Sequence, residues 1–331
     1  MEANKIDVLA KISDQMRAVI DKTNELAGDA FSTDVSLEEL RSNYVKERAF
    51  WNQGGPAMRE TRDVELGEVE GLPVKARLYY PEGAPYPAPC LIYIHGGGWV
   101  LGGPDTHDRI TRFLADNTKA VVASVDYPLS PEHKFPAALY VCAATAEVLH
   151  ACGAQYGIDG NDLSFAGDSG GANLSLASYL YLRDERGEAS YIRSLLLYYG
   201  AFGLRDSASH RLLGGSWDGL TDADWEYYLD AYLEDVERDS QNPYFNAFQA
   251  DLSRDVPPCY IIAAEFDPLK DDSLALHQIL EEHGLPHCYE VAPGVIHAFL
   301  HNSRMLDEAK RALDAGSAYF VEHRARESSL I

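Results

Sequence analysis

The strongest constraint on this chain is a series of near-continuous apolar runs: Cys90 to Ile94, Ala120 to Val125, Leu163 to Ala166, Ile192 to Tyr199 and Cys259 to Ala264. Runs of this kind suit strands covered on both faces, as in a parallel sheet. Helical patterns fall between them at 105–117, 135–152, 170–186 and 273–284, and another at 303–325 closes the chain. Strand and helix in alternation predict an α/β fold. Val64 to Val69 and Val74 to Tyr80 alternate around a Gly71–Pro73 turn, which predicts an antiparallel pair at the sheet edge. No strand signal precedes about residue 62. Residues 5–26 and 36–54 instead carry helical spacing, through Ile6, Leu9, Ile12, Met16 and Ile20, and Ser36 with Glu39 resembles a capping box. Residues 201–250 break the rhythm, with one helical pattern near 221–234 and no strand. Excursions of this length are usually functional. The reading divides the chain into an amino-terminal helical cap segment (1–57), a first part of the core (58–200), a cap insertion (201–250) and a second part of the core (251–331).

Composition narrows the partners. The 28 Lys and Arg stand against 52 Asp and Glu, a formal charge of −24, which repels phosphate backbones and anionic lipid. Nucleic-acid and membrane partners are therefore not expected. No apolar run in this reading approaches the ~18–20 residues that span a bilayer. The polar amino terminus lacks the basic and apolar regions of a secretory signal. The five cysteines (Cys90, Cys142, Cys152, Cys259, Cys288) show no metal-ligand spacing, so reduced thiols and a cytoplasmic location are expected.

Two glycine-rich motifs follow predicted strands. Gly167-Asp168-Ser169-Gly170-Gly171 joins an apolar strand to a small-residue helix, where a sharp turn would hold the Ser169 hydroxyl outward. His95-Gly96-Gly97-Gly98-Trp99 follows the strand ending at Ile94. Three successive glycines cost entropy, and a loop aiming backbone N–H groups at an oxyanion gives them a purpose. Gly97, Gly98 and Gly170 are the expected donors. A phosphate-cradling loop is disfavoured, because no Lys or Ser/Thr follows in the required spacing. Asp267 lies just past the strand ending at Ala264, and His297 past the alternation Cys288 to Val291. The order serine, acid, histidine suits this fold, and both residues sit where such sheets place their sites. Asp271 and Asp272 compete for the acid role but fit a helix's first turn. The histidines other than His95 and His297 are read as surface or satisfied core residues, and His95 as shaping the glycine loop.

Together these motifs resemble the hormone-sensitive-lipase-like family of α/β hydrolases, bacterial acetyl esterases in particular. The resemblance rests on HGGGW at 95–99, DYPLSPEHKFPAA at 126–138, GDSGG at 167–171, FDPL at 266–269 and HAF at 297–299, and extends to residues 105–109 and GGSWDGL at 214–220. It implies an α/β-hydrolase fold, a mostly parallel eight-stranded sheet flanked by helices, with a helical cap. The implied activity is a serine carboxylesterase acting on short-chain acyl esters. Its catalytic residues would be Ser169, Asp267 and His297, with no cofactor and no metal. One departure stands out: family members commonly have Ala where this chain has Gly170. Trp99 and Trp217 are bulky enough to shorten an acyl pocket. A non-catalytic receptor on the same fold, as in the plant gibberellin receptors, lacks the histidine that stands here at His297. Amidase and lactonase activities use the same triad, and both a homodimer and a regulatory protein partner stay open.

Overall fold

The computed structural model describes residues 4–27 and 30–324. Along the chain the elements run α1 (Asp14–Ala27), α2 (Leu37–Trp51), β1 (Met58–Val69), β2 (Leu72–Pro81), β3 (Ala88–Ile94), α3 (Asp108–Thr118), β4 (Val121–Val125), α4 (Ala137–Cys152), β5 (Ile158–Asp168), α5 (Gly170–Tyr181) and β6 (Ile192–Tyr198). After α6 (Ala208–Leu212), α7 (Asp222–Tyr232) and α8 (Val236–Asp239) come β7 (Cys259–Phe266), α9 (Lys270–Glu282), β8 (His287–Ile296) and α10 (Asp307–Arg324).

The eight strands form one sheet in the order β1-β2-β4-β3-β5-β6-β7-β8. β2 is antiparallel to both β1 and β4, and every pairing from β4 to β8 is parallel. The apolar runs follow from this arrangement. In β3, Cys90, Ile92 and Ile94 enter one core cluster, while Leu91 and Tyr93 enter another on the opposite face. α4, α5 and α9 supply Leu139, Leu174 and Leu276 to the first cluster; α3 and α10 supply Leu114 and Leu313 to the second. Truncating any of these fully buried leucines to alanine should cost about 2–5 kcal/mol. A third, smaller cluster joins Leu40 and Tyr44 of α2 to Tyr228 and Ala231 of α7 over Val100 and Leu101. The amino-terminal segment and the insertion therefore meet above the glycine loop.

Several boundaries differ from the sequence reading. α1 starts at Asp14 rather than residue 5. The Ser13 hydroxyl accepts from Met16 N at 3.1 Å, capping the helix there, while Ile6 N and Ser13 N donate to the Leu212 and Gly294 carbonyls. Val8 and Ile12 are buried by these docked turns, so their spacing imitates a helix without forming its first part. β1 begins at Met58, four residues before the expected signal, because Arg59 to Asp63 are exposed and polar. The closing helix starts at Asp307 rather than residue 303, after a 3₁₀ turn at Phe299–Asn302; it is described to Arg324, and residue 325 lies outside the described residues. Against the expectation of no membrane-length run, the segment Ala137–Tyr156 is long and apolar enough by length and composition to cross a bilayer. Here it is a core helix with its 3₁₀ extension: Leu139, Val141, Cys142 and Leu149 pack into the sheet's first cluster.

Candidate active site

Register brings the motifs together. Ile94 pairs with Gly167, so the HGGGW loop and the Ser169 turn leave adjacent strand ends. Phe266 pairs with Ile296, which sets Asp267 beside His297. Ser169 itself adopts φ 56°, ψ −123°, between β5 and the first residue of α5. Non-glycine residues rarely hold positive φ, and such strain is characteristic of functional turns. The turn closes only because Gly171 has no side chain: a Cβ there would overlap the Ile94 carbonyl oxygen.

His297 Nε2 lies 2.9 Å from Ser169 Oγ, and His297 Nδ1 lies 2.7 Å from Asp267 Oδ2. With a carboxylate at Nδ1, the neutral imidazole carries its proton there. Nε2 is then free to accept from the serine hydroxyl. Asp267 is fully buried and accepts from Leu269 N at 2.8 Å, which fixes its rotation. Burial pulls the His297 pKa down, but the charge and hydrogen bond of Asp267, helped by Asp218 and Asp168, leave it above the ordinary value. Asp271 and Asp272 do occupy the first turn of α9, yet both face the insertion. Asp272 Oδ1 accepts from Phe202, Gly203 and Leu204 N, and Asp271 Oδ2 from Ser209 N.

Gly97, Gly98, Gly170, Trp99, Ser169 and His297 line one narrow cavity of about 50 Å³. Gly97 and Gly98 have φ 114° and 58°, and their N–H groups donate to no protein acceptor among the described residues. Gly170 opens α5, where the first N–H has no intrahelical partner. All three donors are thus available to a ligand. A Cβ at Gly98 would overlap the Tyr228 ring, so α7 rests directly on the glycine loop. Trp99 is 1% exposed and stacks on Tyr232 at 4.5 Å with a 3° interplanar angle. It borders the cavity and packs against α7 at once.

Trp217 is a correction. It is not among the residues lining this cavity and sits in a separate surface depression with Asn24, Phe31 and Ser216. Its ring folds back over Gly215, where a Cβ would overlap it. Trp225 takes the place at the cavity wall.

Sequence reasoning reads His95 as shaping the glycine loop and assigns no role to its neighbours near the site. Asp168, the variable position of the serine motif, is buried behind it. Its carboxylate accepts from Tyr93 Oη (2.7 Å) and Gly96 N (3.0 Å) and faces His107 and His301 at 3.4 and 3.8 Å. Burial pushes this carboxyl up, but His107, His301 and Tyr93 outweigh that and hold it below the ordinary carboxylate range. His95 is held neutral, its pKa pushed down to about 3 chiefly by burial. It stacks on Tyr127 at 4.2 Å, and Tyr127 Oη donates to the His95 carbonyl at 2.9 Å. The glycine loop is thus braced from below by Asp168 and Tyr127. His107, Asp168 and His301 also bring ligand-type atoms within 4.8 Å of one another, as do His277, Glu281 and His287. In the first group, Asp168 is already committed to Tyr93 and Gly96.

A strained serine at a strand-to-helix turn, an acid and a histidine just past the ends of β7 and β8, and three free N–H groups around one cavity define a hydrolase of the α/β class. Comparison with known proteins agrees. Residues 91–301 match a family described by the alpha/beta hydrolase fold. The acetyl esterase of Salmonella typhi is 44% identical over 318 residues, covering 96% of this chain and 97% of that protein. The hyperthermophilic esterase of Pyrobaculum calidifontis superposes with a TM-score of 0.86 at 29% identity, over 94% of this chain and 98% of that one. A thermostable esterase from Pseudomonas putida, 24% identical, shares the fold with a TM-score of 0.87 over 96% and 99% of the two chains. This chain belongs to the α/β-hydrolase family, in its hormone-sensitive-lipase-like branch.

Proposed function

We propose that this enzyme hydrolyses short-chain acyl esters, acetyl esters foremost, through an acyl-serine intermediate at Ser169. It is a carboxylic ester hydrolase of the acetyl esterase and carboxylesterase kind. The observation that carries the mechanism is the unbroken Ser169–His297–Asp267 hydrogen-bond chain at the cavity floor. His297 Nε2 takes the Ser169 proton as Oγ attacks the ester carbonyl carbon, and Asp267 stabilises the imidazolium that forms. The N–H groups of Gly97, Gly98 and Gly170 face the developing oxyanion; such a donor contributes roughly 2.7–4 kcal/mol of barrier reduction. His297 returns its proton to the departing alcohol. A water, deprotonated by His297, then attacks the acyl-enzyme, and the acid leaves as Oγ recovers its proton.

The amino-terminal segment and the insertion act as the cap in this reading. Phe31, Tyr44 and Arg48 from one, and Leu220, Trp225 and Tyr228 from the other, border the cavity and leave little room for a long acyl chain. The test is hydrolysis of p-nitrophenyl esters from acetate to laurate by wild type and Ser169→Ala. Turnover that peaks at short chains and vanishes in a folded Ser169→Ala protein is the expected result. Turnover that survives the substitution overturns the role of Ser169, and a maximum at laurate overturns the short-chain reading.

A further inference from the structure

Four buried polar atoms, on residues that border the cavity, have no hydrogen-bond partner among the described residues: Arg48 Nε, Trp99 Nε1, Trp225 Nε1 and Asp218 Oδ2. Three are donors and one is an acceptor. Arg48 comes from α2 and is 3% exposed; Asp218 comes from the insertion and is 8% exposed. Neither is a loose surface group. The Arg48 guanidinium gives one N–H to Glu47 Oε2 at 2.9 Å and lies 5.2 and 4.8 Å from the Phe31 and Tyr44 ring centres. Glu47 is itself occupied by Thr23, Trp51 and Arg48, so that pair is complete without Nε. Asp218 Oδ1 accepts from Gly215 N and Leu220 N, both at 3.1 Å, which holds the turn and leaves Oδ2 over.

A methyl group of an acetyl ester meets none of these atoms, and neither does a plain alkyl alcohol. A site whose polar groups await partners selects for a substrate that supplies them. A carboxylate ligand would meet Arg48 but face Asp218 and Asp168; an ammonium ligand would meet Asp218 but face Arg48. A hydroxyl group donates to one and accepts from the other.

We infer that the cavity recognises acetyl esters of polyhydroxylated alcohols, with Arg48 donating to, and Asp218 accepting from, free hydroxyls of the substrate. This rests on the esterase reading given above and names its substrate class. The Asp218 carboxyl, pushed up to about 7 by burial, keeps hydrogen-bonding capacity near neutrality in either protonation state.

Glycerol monoacetate and n-propyl acetate share a carbon skeleton and differ by two hydroxyls, so their kcat/KM ratio isolates the effect. Wild type should favour glycerol monoacetate at least tenfold. Arg48→Lys and the near-isosteric Asp218→Asn should each cut that ratio several-fold, chiefly through KM. A role confined to packing lowers both rates together and leaves the ratio in place, which overturns the inference, as does a wild-type ratio near one. Titration calorimetry with Ser169→Ala separates the two readings. If neither ester is hydrolysed by wild type, the esterase reading falls. Tighter binding of glycerol monoacetate than of propyl acetate then still upholds the recognition site, and equal binding removes it.

Discussion

Gly170 lies beneath the Trp99 indole, where a Cβ would stand 3.2 Å from Cε2 and 3.3 Å from Nε1. The glycine and the tryptophan are therefore a pair in close contact, with no room to spare between them. Gly170→Ala should push the indole or the Gly170 N–H from its place. A displacement of either that costs about 1.4 kcal/mol lowers kcat roughly tenfold on acetate. Trp99→Leu in the same background should restore part of the loss, and a double-mutant cycle with no coupling removes the pairing. At His297 the sign is set by protonation. Only the neutral imidazole accepts the serine proton, and its pKa lies above the ordinary histidine value. The acid limb of kcat/KM should therefore have its midpoint above about 6.5. A midpoint below that value means that Asp267 and its neighbours do not outweigh burial.

Among the elements, the insertion is fastened near its start by two carboxylates at the head of α9, Asp271 to Ser209 and Asp272 to the residues just after β6. Asp272 at the start of α9 takes three successive N–H groups from residues 202–204 just after β6. Asp272→Ala leaves three donors unpaired, of which the Phe202 N–H is fully buried, at a cost of about 1–3 kcal/mol for a buried donor left unsatisfied. Asp272→Asn keeps an acceptor. The alanine variant should lose thermal stability and admit protease within 201–250 before the core, and the asparagine variant should resist both. Equal behaviour of the two would remove the tether. How far such elements were legible follows from their physics. The parallel strands were readable because both faces are apolar, and Ser169, Asp267 and His297 because glycine turns and strand ends mark them in sequence. Arg48 and Asp218 were not readable, because they border one cavity only in the fold, from segments some 170 residues apart. The misread start of α1 has a local cause, since Ser13 caps the helix after a docked turn whose apolar spacing is helix-like. Trp217 failed because residue type indicates size, whereas the turn at Gly215 decides direction.

At the scale of the whole molecule, buried titratable groups oppose one another across the pH range. His95, pushed down to about 3 by burial, and His301, also held well below its ordinary value by burial, stay neutral in the fold. Their contribution to stability is present above pH ~6.5 and is lost as pH falls through their folded values. Asp218 and Asp272 run the other way. Burial raises both carboxyls to about 7, against the hydrogen bonds they accept. Folding therefore favours their protonated forms. That contribution is present below pH ~3.9 and is lost as pH rises to 7. Between pH 5 and 8 the loss amounts to something on the order of 2–3 kcal/mol per carboxyl, at 1.36 kcal/mol per pKa unit. In the wild type alone, the histidines mask part of this trend below pH 6.5. Comparison with a variant exposes it, because the histidine contribution is common to both proteins. The Asp218→Asn/Asp272→Asn double variant has no carboxyl to ionise at either position. Its Tm should rise relative to wild type as pH increases from 5 to 8, with the difference smallest near pH 4. A Tm difference that stays flat across that range would mean that the two carboxyls are already ionised at pH 5. The insertion would then hold two buried charges on its backbone N–H groups rather than two neutral acids.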